Sequence, residues 1–91
     1  MAKPVHWSPH ALKRLGGRRV NVDEITHTME SPQWVMETSP AGRRIFMRKV
    51  WDDALQKELL LRVVFDETIK ARVIVTVYYT SKFTKYLPAG E

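Results

Sequence analysis

The sequence predicts an α+β fold in which two N-terminal helices pack on a four-stranded, mainly antiparallel sheet. Three observations support this prediction. Residues 1–32 carry apolar side chains at helical spacing, between residue types that begin and end helices. From Gln33 onward the apolar period changes to two, and the later apolar stretches are rich in β-branched and aromatic residues. The length of 91 residues suits a single domain spanning 1–91, with an ordered core over about 5–86.

Both predicted helices begin at a polar residue and end at a helix breaker. The first is predicted over residues 8–16, with Ser8 as its cap and Pro9 as its first helical residue. Serine can cap free backbone N–H groups, and proline at the first position has no N–H to leave unpaired. This helix ends at Gly16-Gly17, since glycine readily adopts the left-handed conformation that closes a helix. The second helix has Asn21 as its cap and ends at Ser31-Pro32.

Four strands are predicted after the second helix. The turn residues at 39–42, the acidic pair Asp52-Asp53 and the polar loop 66–70 separate them. The strands are expected over Gln33–Thr38, Arg43–Trp51, Lys57–Phe65 and Ala71–Thr80.

Alternation sorts the residues of these strands into two faces. The face under the helices is predicted to receive Ile45, Met47, Trp51, Leu59, Leu61, Val63, Phe65, Val73, Val75, Val77 and Tyr79. The other face is predicted to carry Arg44, Phe46, Arg48, Val50, Leu60, Arg62, Val64, Arg72, Ile74, Thr76, Tyr78 and Thr80. Arginine between aromatic residues is typical of a surface that binds an anion or a nucleotide, and a sheet face in plain contact with solvent is the alternative.

The charges are segregated along the chain. The formal net charge is +5, and residues 1–20 carry five basic and no acidic side chains, whereas residues 21–42 carry four acidic and no basic ones. Such segregation favours phosphate-rich or acidic partners, with a solvated basic surface as the alternative. The absence of cysteine excludes disulfides, thiolate zinc sites and cysteine nucleophiles. Because no apolar run has the length of a membrane span, we expect a cytoplasmic protein without a membrane partner.

The candidate chemistry is metal-independent cleavage of RNA. Attack by a 2′-hydroxyl needs a base, an acid and cations around the phosphorane, but no metal ion. We predict His10, Arg62 and Tyr78 as catalytic residues, with His10 as the base and with Tyr78, or a lysine near 82–85, assisting the leaving group. Substrate binding is predicted for Arg14, Arg44, Arg48, Thr76 and Lys82. The alternative for His10 is a helix-start residue that packs against the sheet or caps the helix.

Neither a metal nor another cofactor is expected. The carboxylates fall mainly in turns and at the start of the second helix, so the paired acids of a two-metal nuclease are missing. His6 and His10 have the spacing of a zinc pair, but the predicted helix begins between them.

Several short motifs together resemble a family of small bacterial proteins known as domain of unknown function 4258. They are Ser8-Pro9-His10-Ala11, an arginine one turn later, a second helix that ends in Ser-Pro, a Gly-Arg turn and the terminal LLRVVF…VIVTVYYTSK. The resemblance covers roughly 5–86. This family is similar to the RelE/ParE and BrnT toxins, within a wider group of metal-independent ribonuclease-like folds that includes barnase.

The resemblance implies a RelE/barnase-like fold and a site between the first helix and the sheet. It places the family's S-x-H-A motif on Ser8, His10 and Ala11, its basic helix residue on Arg14, its strand arginine on Arg62 and its T-x-Y motif on Thr76 and Tyr78. The expected function is that of a toxin-like endoribonuclease of a toxin–antitoxin system, with RNA and a cognate antitoxin as partners. The alternatives are a non-catalytic module that binds nucleic acid or protein, and a gyrase inhibitor of the ParE type.

Overall fold

The computed structural model describes residues 3–17, 21–38 and 42–87, with the side chains in these ranges except those of residues 14–17. Its elements are β1 (Val5–Trp7), α1 (Pro9–Gly17), α2 (Val22–Glu30), β2 (Trp34–Thr38), β3 (Arg43–Asp52), β4 (Lys57–Glu67), β5 (Arg72–Thr80) and α3 (Phe83–Tyr86). The strands form one sheet in the order β1-β5-β4-β3-β2. None of the helices in the described ranges has the length and apolar character needed to span a bilayer.

The predicted architecture of two N-terminal helices on a four-stranded, mainly antiparallel sheet is wrong. The sheet has five strands and is mixed, because β1 pairs in parallel with β5, with Val5 opposite Arg72 and Trp7 opposite Ile74. A third helix, α3, follows the sheet. The sequence gives little sign of β1, since three residues are too few to establish a period of two and the Ser8-Pro9 helix start follows at once.

A β-bulge changes the faces predicted for the beginning of β5. Val64 of β4 lies opposite Thr76, whereas the next residue, Phe65, lies opposite Ile74. Val75 is therefore the extra residue of the bulge, and side chains before it alternate in the opposite sense to those after it. As a result Ile74, predicted on the other face, is fully buried in the core under the helices.

The faces predicted for β3 are inverted. Phe46 lies opposite Val63 and Arg44 lies opposite Phe65, so both share the side of the sheet that the helices cover. Met47 instead lies opposite Arg62, on the other side. Alternation separated the two sets correctly but could not tell which one meets the helices, because both sets contain large apolar residues.

We call the side of the sheet covered by α1 and α2 the helix face, and the opposite side the second face. The core on the helix face consists of Ala11 from α1, Ile25 and Met29 from α2, and Phe46, Leu61, Val63, Phe65, Ile74 and Val77 from the sheet. Phe46 and Phe65 meet edge to face, with ring centroids 4.7 Å apart. Met47 and Leu60 are fully buried on the second face, so this face also has an apolar layer.

The start of α2 is held by Asn21, as predicted. Its side-chain oxygen accepts hydrogen bonds from the backbone N–H groups of Asp23 at 2.9 Å and Glu24 at 3.2 Å. The hydroxyl of Tyr79 ties this turn to β5, because it donates to the Glu24 carboxylate at 2.9 Å and accepts from the Asn21 backbone N–H at 3.2 Å. Burial raises the pKa of Tyr79 to about 12, so the hydroxyl keeps its proton at neutral pH.

Replacing Asn21 by alanine is expected to lower the free energy of unfolding by about 1 kcal/mol, because two N–H groups at the start of α2 lose their acceptor. Urea denaturation followed by circular dichroism measures the difference. Asn21→Asp is the matched control, since a carboxylate oxygen accepts the same bonds and retains the stability. Equal stability of the alanine variant and the wild type would contradict a stabilising role for this cap.

Candidate functional site

Arg62 is a buried arginine at the centre of the second face. Its exposed fraction is 7%, and the middle of β4 holds it between β3 and β5. The Nε atom contacts the sulfur of Met47 at 3.4 Å, and one terminal nitrogen donates a hydrogen bond to the hydroxyl of Tyr78, the residue directly opposite on β5. Burying a guanidinium costs free energy unless a nearby negative charge compensates it. The groups around Arg62 therefore indicate whether its role is structural or functional.

No carboxylate in the described ranges lies within ion-pair distance of Arg62. Three of the other four strand arginines have a carboxylate partner, because Arg43 pairs with Asp66, whereas Arg44 and Arg72 both pair with Glu67. The fourth, Arg48, is only partly buried and donates to the backbone carbonyl of Ser31. A buried charge without a counter-ion destabilises a fold. Arg62 therefore has the character of a functional side chain whose counter-ion comes from a ligand.

Aromatic rings enclose the guanidinium of Arg62. Its central carbon lies 4.1 Å from the ring centroid of Tyr86 in α3 and 5.4 Å from that of Tyr78. The two rings are 6.2 Å apart and inclined at 66°, so they form two walls of one pocket. Because α3 is a single turn, Phe83 and Tyr86, three residues apart, both reach the second face.

Two lysines add positive charge around this pocket. The amino group of Lys85 lies 5.3 Å from the ring centroid of Tyr86, and that of Lys49 lies 5.8 Å from the ring centroid of Phe83. Beside them is a cavity of about 290 Å³ lined by Trp34, Lys49, Glu58, Phe83 and Leu87. The second face thus combines cations with aromatic surfaces, which suits an anionic ligand that also carries flat rings.

The structure brings together three of the predicted site residues and separates His10 from them. Arg62, Tyr78 and Thr76 lie side by side on the second face. His10 lies in α1, which packs on the helix face through the fully buried Ala11, and its own side chain is exposed. The sheet therefore stands between the imidazole and Arg62, and the predicted arrangement of His10 above the arginine is not formed.

The other predicted binding residues are scattered. Arg44 and Arg48 point to the helix face, where Arg44 binds Glu67 at 2.9 Å and Arg48 donates to the backbone carbonyl of Ser31 at 2.6 Å. Lys82 is exposed and immediately precedes α3. The side chain of Arg14 lies outside the described residues.

Sequence reasoning gave a lysine near 82–85 as an alternative to Tyr78, but it missed five contributors to the site: Trp34, Met47, Lys49, Phe83 and Tyr86. Met47 and Lys49 were missed because the faces predicted for β3 were inverted. Phe83 and Tyr86 were missed because the polar segment after β5 has too few apolar residues to show a helical pattern. The three-residue spacing of Phe83 and Tyr86 was the one available signal. Within the described ranges, no three histidine or acidic side chains group closely enough to hold a metal ion.

A family model described as "Domain of unknown function (DUF4258)" matches residues 7–79 of the chain. The matched segment includes Arg62, Thr76 and Tyr78 and ends before α3. No curated protein and no solved structure matches the chain. The description attaches no activity to the family, so the function has to be argued from the site.

Proposed function

The chain belongs to the DUF4258 family, and from the site around Arg62 we propose that it is a toxin-like endoribonuclease that binds RNA on the second face and cleaves it without a metal ion. The observation that carries the proposal is the buried guanidinium of Arg62, which has no carboxylate partner among the described residues. A phosphodiester would supply the missing negative charge in a geometry that guanidinium groups bind well.

The aromatic residues of the site favour a nucleic acid over a simple anion. Tyr86 and Phe83 lie beside cations on the second face, and stacked bases together with backbone phosphates need both kinds of group. The cavity next to Phe83 has Trp34 as a second aromatic wall and is open to a single unpaired base. Single-stranded RNA is thus the substrate class that fits, because its bases are free to leave the stack.

Arg62 and Tyr78 can take different roles in the cleavage step. The 2′-oxygen attacks the phosphorus and its proton passes to water, while the bond from phosphorus to the 5′-oxygen breaks and leaves a 2′,3′-cyclic phosphate. Arg62 balances the charge that grows on the phosphorane. Tyr78 accepts a hydrogen bond from Arg62, so its own hydroxyl proton is free to go to the departing 5′-oxygen, and water restores it afterwards.

A non-catalytic RNA-binding module is the second candidate. The position of His10 favours it, since the predicted base is on the helix face. The histidine that the register places on the second face, His6, lies in the edge strand β1 opposite Val73 and not beside Arg62. In either case a cognate antitoxin would act by covering the second face, where an acidic segment would satisfy Arg62 and the two lysines.

Tyr78→Phe is expected to lower the rate of RNA cleavage about 100-fold, because the variant lacks the proton for the leaving oxygen. Binding of the same RNA should change less than about threefold, since the ring stays in place beside Arg62. His10→Ala is the matched control and should leave both quantities unchanged. Initial rates on a fluorescent single-stranded RNA in EDTA measure cleavage, and anisotropy measures binding.

The outcomes separate the candidates. A DNA of the same sequence should bind but stay intact, because it lacks the 2′-hydroxyl. Wild-type protein that binds RNA without cutting it would leave only the binding module. Loss of cleavage in His10→Ala, with normal rates in Tyr78→Phe, would contradict the roles given to the second face. Wild-type protein that binds no RNA would overturn the proposal.

A further inference from the structure

A second cavity lies on the helix face, away from Arg62. It has a volume of about 780 Å³ and lies between β1, β5 and α2. This volume is in the range of small-molecule sites. Its walls are mainly apolar and come from Val5, Trp7, Ile25, Met29 and Ile74.

Two cations, Lys3 and Arg72, also line this cavity, and they share one carboxylate with a third. Glu67 accepts hydrogen bonds from Lys3 at 3.0 Å, from the Nε of Arg72 at 3.0 Å and from Arg44 at 2.9 Å. Three positive charges therefore meet one shielded carboxylate in this cluster, and the second carboxylate in reach, that of Glu37, is mostly exposed and lies 4.0 Å from Arg44. A ligand that brings a further negative charge would be attracted to it.

Arg72 still has free donors in this cluster. Its Nε is used by Glu67, but neither terminal nitrogen makes a hydrogen bond within the described part of the chain. The guanidinium is held in place by Phe46 and Phe65, whose ring centroids lie 5.3 and 5.4 Å from its central carbon. A fixed guanidinium with two free nitrogens is suited to binding a carboxylate or a phosphate through two bonds.

We propose that this cavity binds a small organic anion, with its apolar body between Trp7 and Met29 and its charged head on Arg72 and Lys3. Carboxylate and phosphate heads share the chemistry that the two cations recognise. The site does not depend on the proposed RNA function, because the sheet separates it from Arg62.

Octanoate and octyl phosphate are suitable probes, with octanol as the neutral control of the same chain length. Isothermal titration calorimetry at low salt should give at least about tenfold tighter binding for an anion than for octanol, because only the anion forms charge-assisted hydrogen bonds with Arg72. The tighter of the two anions identifies the head group. Equal affinities for octanol and both anions would contradict the proposal.

Variants locate the binding site. Arg72→Met should weaken anion binding about tenfold, whereas Arg43→Met, which breaks only the pair with Asp66, should not. Thr26→Trp tests whether the apolar part of the ligand occupies the cavity, and it leaves the charge cluster unchanged. Thr26 is an exposed residue of the cavity wall, so a large side chain at this position would fill the cavity. This variant should abolish binding of both octanol and octanoate. It therefore tests the site independently if Arg72→Met does not fold.

Two further variants test the sign of the ligand's charge and the face of the sheet on which it binds. Glu30 of α2 also lines the cavity, so Glu30→Gln should bind octanoate at least as tightly as the wild type because a repelling charge is gone. Weaker octanoate binding in Glu30→Gln would mean that the Glu30 carboxylate supports binding instead of repelling the anion, and it would contradict the proposal. Loss of octanoate binding in Arg62→Met would place the anion on the second face and would overturn it as well.

Discussion

Replacing Arg62 by methionine is expected to weaken RNA binding at least about 100-fold, because hydrogen bonds from a charged donor to a phosphate, made in a partly dry pocket, are lost together. Cleavage should fall to background, since the same group balances the charge of the phosphorane. Fluorescence anisotropy with a single-stranded RNA measures the first effect, and initial rates measure the second.

The same substitution should leave the free energy of unfolding unchanged or raise it. The described residues offer Arg62 a sulfur atom, a hydroxyl and two rings, but no carboxylate, so the folded protein holds a buried charge that is poorly compensated. Methionine occupies similar space, packs on Met47 and Tyr86, and has no charge to bury. A side chain that lowers stability and is required for binding is what a site for an anionic ligand predicts.

Arg48→Met is the matched control, because Arg48 is on the helix face and, among the residues that the structure describes, donates to the Ser31 carbonyl alone. RNA binding by this variant should equal that of the wild type. Arg62→Lys should fall between wild type and methionine, since it keeps the charge but loses the planar group that stacks on Tyr86. If Arg62→Met lost more than about 2 kcal/mol of stability, Arg62 would be a structural residue and the argument for RNA would fail.

Local signals in the sequence were sufficient for the two N-terminal helices and for four of the strands. The Asn21 cap and the breaker at Ser31 set the limits of α2, and the apolar alternation of β4 placed Leu61, Val63 and Phe65 on one face, as observed. These features depend only on neighbouring residues. The limits of the α2 helix and the faces of β4 were therefore predictable.

The features that escaped prediction depend on distant parts of the chain. Pairing of β1 with β5 joins the two ends of the fold, and the bulge at Val75 is defined by its partner strand. The site shows the same division. Arg62 and Tyr78 were placed together because both lie beyond the bulge, where alternation holds. His10 was misplaced because helical spacing does not tell on which side of a sheet a helix packs.

Replacing Glu67 by glutamine is expected to lower the free energy of unfolding by about 2–3 kcal/mol at neutral pH. Glu67 is largely shielded from solvent, and its carboxylate accepts bonds from Lys3, Arg44 and Arg72. Glutamine keeps the shape but removes the charge, which leaves three neighbouring cations to repel one another. Urea denaturation measures the loss, and Glu37→Gln is the control because Glu37 is mostly exposed and only 4.0 Å from Arg44.

The loss of stability in Glu67→Gln should become smaller as the pH falls. Hydrogen bonds from Arg44, Arg72 and Lys3 lower the pKa of Glu67 from 4.5 to about 2. Because this pKa is lower in the folded protein than in the unfolded chain, the carboxylate contributes its full stabilisation above about pH 4.5 and loses it as the pH falls towards 2. The stability difference between wild type and Glu67→Gln should therefore be largest above pH 5 and shrink below pH 4.

Measuring this difference, rather than the acid stability of the wild type alone, isolates Glu67. Hydrogen bonding to Arg43 also lowers the pKa of Asp66, but Asp66 is present in both proteins and its contribution cancels. A difference that stays constant from pH 7 to pH 3 would show that the carboxylate charge does not hold Lys3, Arg44 and Arg72 together. Since β1 begins just after Lys3 and β5 begins at Arg72, a shrinking difference would identify this ion cluster as a link between the parallel edge strand and the rest of the sheet, in addition to the strand pairing.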